Sequence, residues 1–159
     1  LETPNMSARM DNLRAALLRP QLAQIETACD RWNALHDRIA DTLGTAPGFE
    51  MPHRPAAERY VASSLQFRLP GVGATGAPHF LDKMAARGVE LKWFGRADPV
   101  GFTSAHQSWA YVAPQPLPRT DAILSDLFDM RLPLTFSLED CDLIAAHLMD
   151  VAAEMTEPA

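Results

Sequence analysis

Lysine is almost missing from this chain: Lys83 and Lys92 are its only two, against twelve arginines in 159 residues. An amine that forms Schiff bases must be desolvated, or set beside other cations, so that it loses its proton near neutrality. Lys83 falls on the polar side of a short helical pattern. Lys92 alternates outward with Glu90, while Leu91 and Trp93 point inward. Both read as solvated, and neither as a nucleophile. Cysteine is equally scarce. Cys29 and Cys141 are too far apart for a disulfide framework or a zinc spacing, and each sits in a helical pattern as a small apolar residue. That usage fits a reducing compartment, with the cytoplasm as the expected address. The five histidines (His36, His53, His79, His106 and His147) have no metal-ligand spacing to one another or to a cysteine, so no metal is expected. No apolar run has the length of a membrane span, and no signal pattern opens the chain. Clustered positive charge is lacking too. The net charge is −6 and the arginines are scattered singly, which argues against nucleic acid or an anionic membrane as partner.

What is present is enough apolar residue for one real core, with 47% hydrophobic and 21% charged residues. It begins with a long helical pattern. Leu13, Leu17, Leu18, Leu22, Ile25, Trp32, Leu35, Ile39 and Leu43 recur at steps of three and four, one stripe over about nine turns. Asp11 or Ser7 can cap its start, and Gly44 followed by Pro47 ends it. Pro20 predicts a kink, because proline removes an amide donor and crowds the preceding turn. A helix with so long and wide a stripe usually bridges two domains or forms a subunit interface. The chain opens on Leu1 rather than methionine, which reads as a start inside a longer product.

After residue 46 the pattern changes. In "YVASSLQFRL" Val61, Ser63, Leu65, Phe67 and Leu69 alternate with polar or small residues, as in a half-buried strand. "PHFLDKMAARG" predicts a short helix closed by Gly88, and "VELKWF" a second strand with Val89, Leu91 and Trp93 inward. "AILSDLFDM" reads as a short helix and "RLPLTF" as a compact strand. "SLEDCDLIAAHLMDVAAEM" is a closing helix with a Ser137–Asp140 capping box and a buried stripe of Leu143, Ile144, Leu148 and Val151. The expected fold is α+β: a long helix over residues 1–46, then, over 47–159, a small, mostly antiparallel sheet with flanking helices.

Two stretches invite chemistry. "GVGATG" (Gly71, Gly73, Gly76) matches the spacing that lets a backbone approach a pyrophosphate at a helix start. Here the preceding strand is half polar and Pro70 breaks it, which favours a flexible connector. "FTSAHQSWAYV" sets His106 among Thr103, Ser104, Gln107, Ser108, Trp109 and Tyr111. That loop suits a polyol or sugar held by stacking and hydrogen bonds, or a lid pinned by its aromatics.

The order of motifs has a family likeness. "NMSARMDNLRAALLRPQL", "ARGVELKWFG", "SWAYV" and "LPRTDAILSDLFDMRLPLTFSLEDCDLIAAHL" resemble, in sequence and spacing, the carboxy-terminal portion of DegT/DnrJ/EryC1/StrS aminotransferases. The resemblance implies the interdomain helix and small domain of a fold-type I pyridoxal-phosphate enzyme. Such enzymes move an amino group onto a keto-sugar nucleotide or related keto-polyol, and work as homodimers with active sites at the subunit interface. It implies that Asn5, Ser7 and Arg9 approach the cofactor phosphate of a neighbouring subunit, and that Trp93, Phe94 and His106 border the substrate entrance. Two positions depart from the family pattern: Ser7 stands where an asparagine is usual, and Trp93-Phe94 where His-Tyr is common. The Schiff-base lysine would belong to a large domain outside this sequence. On this reading the chain by itself is inactive and holds no cofactor, and the long helix packs against that domain and a second subunit. The alternative is a free-standing, non-catalytic α+β binding or interaction module, which would cover its own helical stripe.

Overall fold

A computed structural model describes residues 10–98, 100, 106–109, 113 and 115–156. The elements, in order, are α1 (Asn12–Leu22), α2 (Ile25–Thr45), β1 (Ser64–Arg68), α3 (Gly73–Ala86), β2 (Lys92–Trp93), a 3₁₀ turn (His106–Ser108), α4 (Pro118–Leu124), β3 (Leu127–Arg131) and α5 (Leu138–Thr156). The class is α+β, as the sequence patterns predict.

The sheet is three-stranded and antiparallel, in the order β1-β3-β2. Its residues alternate as a pleat requires. Leu65 and Phe67 of β1, Phe128 and Met130 of β3 and Trp93 of β2 enter the core. Phe67 lies opposite Phe128 in register, with ring centroids 5.6 Å apart, and Phe80 of α3 comes within 5.0 Å of Phe128. α2 and α5 pack against each other, and α3 packs on α5 and the β2 end of the sheet. Ile39, Leu43, Phe80, Met84, Cys141, Leu148 and Val151 are fully buried there. Cys29 and Cys141 are free thiols, and burial pushes the Cys141 thiol up in pKa, as expected of a small apolar residue.

The structure revises several element boundaries. The predicted long helix is two helices, broken at Ala23–Gln24, three residues beyond Pro20. Asp11 does cap α1, accepting from the Arg14 N–H at 2.8 Å. α3 starts at Gly73, before Pro78, and Gly73 itself enters the helix at φ +58°, a conformation that favours glycine. "LFDMR" is a strand rather than the end of a helix, since β1 supplies it with a full ladder. "RLPLTF" leaves the sheet at Leu132, whose carbonyl accepts from the Trp32 indole at 2.9 Å. Val61 and Leu143 are exposed, at 49% and 57%. On α5 the buried face is set by Cys141, Ile144, Ala145, Leu148 and Val151, so Leu143 points away. The Ser137–Asp140 box forms as predicted: the Ser137 N–H donates to Asp140 at 2.8 Å, and the Asp140 N–H to the Ser137 hydroxyl at 3.1 Å.

Candidate functional site

α4 is a short helix that anchors two of the aromatic rings singled out from the sequence. Pro118 occupies its first turn, where a missing N–H leaves no bond unmade. Asp121 follows in the same turn, where a carboxylate is favoured. Its Oδ1 accepts from His106 Nε2 and from Gln107 Nε2, each at 2.8 Å. A carboxylate only accepts, so the bonded Nε2 carries the hydrogen and Nδ1 is the ring's remaining polar atom. These bonds, that of His106 first, hold Asp121 below the ordinary carboxylate range. At the other end of α4, the Ser125 N–H donates to the Asp121 carbonyl at 3.0 Å. The Ser125 carbonyl in turn accepts from the Trp93 indole at 3.0 Å.

Trp93 is 9% exposed and belongs to the core as much as to any surface. Phe94 is half-buried, and its N–H donates to the Leu127 carbonyl at 3.1 Å. Gly95 is required next to them. A Cβ there would lie 2.6 Å from the Trp93 ring, so the indole occupies the space of the missing side chain. Trp93, Phe94 and His106 are thus tied to α4 and the sheet edge beside it. Asn5, Ser7 and Arg9 lie outside the described residues, as do Thr103, Ser104 and Tyr111. Asp121 escaped the sequence reading. A proline-started turn hints at an acid there, but its pairing with a histidine fifteen residues away follows no local period.

Of the glycines of "GVGATG", Gly73 takes a positive φ with open space around it and Gly76 serves packing. Gly76 lies inside α3, where a Cβ would come within 3.0 Å of Val72 and 3.3 Å of Met155. The preceding strand is an antiparallel edge strand, not the central parallel strand of a dinucleotide fold. Among the described residues no group of three or more metal-ligating side chains forms, and no helix is long and apolar enough to cross a membrane.

An antiparallel sheet backed on one face by helices, preceded by a helix whose own apolar face is bare, defines a small domain of the α+β class. Comparison with known proteins makes the assignment specific. The chain belongs to the DegT/DnrJ/EryC1/StrS aminotransferase family, whose profile it matches over residues 2–149. A search of curated protein sequences gave no match. Among solved structures it is similar to the aminotransferase TlmJ from Streptoalloteichus hindustanus, with 17% identity, a TM-score of 0.77, and coverage of 93% of this chain and 38% of that one. It is similar to DesV from S. venezuelae, with 22% identity, a TM-score of 0.73, and coverage of 95% and 39%. A DegT DnrJ EryC1 StrS aminotransferase from Brucella abortus has 19% identity, a TM-score of 0.66, and coverage of 94% and 37%. At these identities the likeness is one of fold. The chain spans less than two fifths of the length of each of these structures.

Aminotransferases of this family use pyridoxal phosphate, and the described residues do not fit that group by themselves. Lys83 Nζ is 2.6 Å from Glu154, in an ion pair that joins α3 to α5 beside Arg87. Lys92 is a ladder residue opposite Asp129.

Proposed function

We propose that this chain is the carboxy-terminal part of a pyridoxal-phosphate aminotransferase that acts on a keto-sugar nucleotide or a related keto-polyol. Residues 1–46 bridge to a large domain and pair two subunits in a cytoplasmic homodimer, and residues 47–159 close one side of the active site. The observation that carries this reading is the bare stripe of α1. Leu13, Leu17, Leu18 and Leu22 on this one short helix, with Met10 before it and Ile25 at the start of α2, are 42–71% exposed, and large contiguous apolar surface of this kind marks an interface. The family match and the partial coverage of longer structures support it.

Within that enzyme Asn5, Ser7 and Arg9 approach the cofactor phosphate of the neighbouring subunit. Trp93, Phe94 and His106 border the substrate entrance, where the Asp121-oriented imidazole offers Nδ1 to a sugar hydroxyl. The cofactor supplies the carbanion-stabilising chemistry when bound. This chain's residues bind, orient and exclude water, and the chain alone does not transaminate.

Borohydride reduction of the protein expressed from its natural gene, followed by mass spectrometry, tests the reading. The expected result is a pyridoxyl adduct on a lysine outside these 159 residues. A protein of this length with no adduct would overturn it in favour of a binding module, a reading that the closed core formed by α2, α3, α5 and the sheet favours.

A further inference from the structure

One oxygen of Asp121 holds two side chains at once. Its Oδ1 accepts from His106 Nε2 and from Gln107 Nε2, both at 2.8 Å, so the two nitrogens lie no more than twice that distance apart. His106 and Gln107 share one 3₁₀ turn, which the Trp109 N–H closes by donating to the His106 carbonyl at 3.1 Å. The clamp stands at the surface. The side chain of Asp121 is 42% exposed and that of His106 12%, and Gln107 and Trp109 are exposed.

Elementary chemistry sets what this clamp leaves over. A neutral imidazole has one N–H and one bare ring nitrogen. With the N–H committed to Asp121, Nδ1 is an acceptor. The Gln107 amide turns its nitrogen to Asp121, which leaves Oε1, a second acceptor, on the other branch. Asp121 Oδ2 is a third. Of the donors, one N–H of the Gln107 amide remains.

Charge points the same way. The two hydrogen bonds, that of His106 first, hold the Asp121 carboxyl below its ordinary range, so it stays ionised. Among the described residues its ion-pair partner is His106. Arg119 is two residues away on α4 and does not face it. A surface rich in acceptors and negative in charge takes a ligand that brings hydrogen-bond donors, and it turns away phosphate or carboxylate. Trp109, on the same turn, adds aromatic surface suited to the C–H face of a sugar ring.

We infer that Asp121 is a positioning residue that sets His106 Nδ1 and Gln107 Oε1 as paired acceptors for ring hydroxyls of the sugar, and that the phosphate-bearing end of the substrate lies away from them. Gln107 thereby joins His106 as a substrate contact. The identity of the substrate rests on the aminotransferase reading proposed above; the polarity of the clamp does not.

The test is NMR on the 159-residue chain in mildly alkaline buffer, with methyl α-D-glucopyranoside and inorganic phosphate as probes. Ring nitrogen shifts should place the hydrogen of His106 on Nε2. The glucoside should move the His106 ring and the Gln107 side-chain amide saturably, and phosphate should move neither. Asp121→Ala should spread the His106 hydrogen over both ring nitrogens and weaken the glucoside about tenfold. The Trp93 indole N–H, held by the Ser125 carbonyl at the far end of α4, should stay in place and so report the helix intact. Asp121→Asn keeps an acceptor oxygen and should restore most of the binding. Gln107→Leu, at an exposed position, should weaken it severalfold. An Nδ1–H tautomer in the parent would overturn the inference. So would phosphate binding at these residues, no glucoside response, or undiminished binding by Asp121→Ala or Gln107→Leu. A pyridoxyl adduct on the full-length protein alongside any of these results would leave the aminotransferase reading standing, so the two fail separately.

Discussion

α1 and α2 carry one continuous hydrophobic period and meet opposite fates. Leu13, Leu17 and Leu22 of α1 are 60–71% exposed, whereas Leu35, Ile39 and Leu43 of α2 are at most 2% exposed. The residues are of one kind; what differs is the presence of something to pack against. α2 has α5 and β1 beside it, and its flanks are tied down. Arg38 makes a bidentate pair with Asp142 at 2.6 and 2.8 Å, and Asn33 clamps the incoming chain through the Tyr60 carbonyl and the Ala62 N–H. α1 contributes no buried residue at all. A hydrophobic stripe therefore specifies that burial is wanted, not that this chain provides it.

Truncation separates the two halves most sharply. Ile39→Ala should cost about 2–5 kcal/mol by chemical denaturation, through lost transfer energy and an unfilled cavity. Gly95→Ala comes next: forcing a methyl against the Trp93 ring should cost about 1–3 kcal/mol and alter tryptophan fluorescence. A variant as stable as the parent would mean that the indole does not fill that space. Ser137→Ala removes half of the α5 capping box and should cost about 0.5–2 kcal/mol.

Acid probes the ion pairs that fasten the covered half. Asp142 is held below its ordinary value by Arg38, Glu154 by Lys83 and Arg87, and Asp140 by Ser137. A carboxylate with a depressed folded-state pKa stabilises fully above its unfolded value and loses that contribution as pH falls through the folded one. The melting temperature should thus be flat above the ordinary values of 3.8 and 4.5 and decline below them. Asp142→Asn should flatten part of that decline. An unchanged acid limb would discount the Arg38 pair.

The smallest effect on stability belongs to α1. Leu17→Glu should move the isolated chain by less than about 0.5 kcal/mol, since the side chain is already in water. In the full-length enzyme the same change should disrupt assembly, read as a shift in mass by light scattering. Equal losses from Leu17→Glu and Ile39→Ala in the isolated chain would break the comparison.

Much of the fold was legible because its signals are local. The alternation at Leu65, Phe67 and Leu69, the Ser137–Asp140 box and Gly88 at the end of α3 each act within a few residues. The local pattern of "LFDM" reads as helix, because its strand identity comes from pairing with Ser64–Arg68, some sixty residues earlier. The site was legible only in part. Trp93, Phe94 and His106 stood out by composition. Asp121, which orients His106, and Ser125, which holds the Trp93 indole, did not, since both bonds span chain separations that no period encodes.

By itself the sequence determined the kind of molecule: an acidic, lysine-poor α+β chain whose residues 2–149 carry the pattern of one aminotransferase family. These properties are composition, periodicity and motif order, which need no third dimension. Tertiary structure alone decided where the stripe is bare, which way Leu143 faces, and that Asp121 meets His106. Burial and ion pairing depend on distances between residues far apart in the chain, and only packing sets those distances.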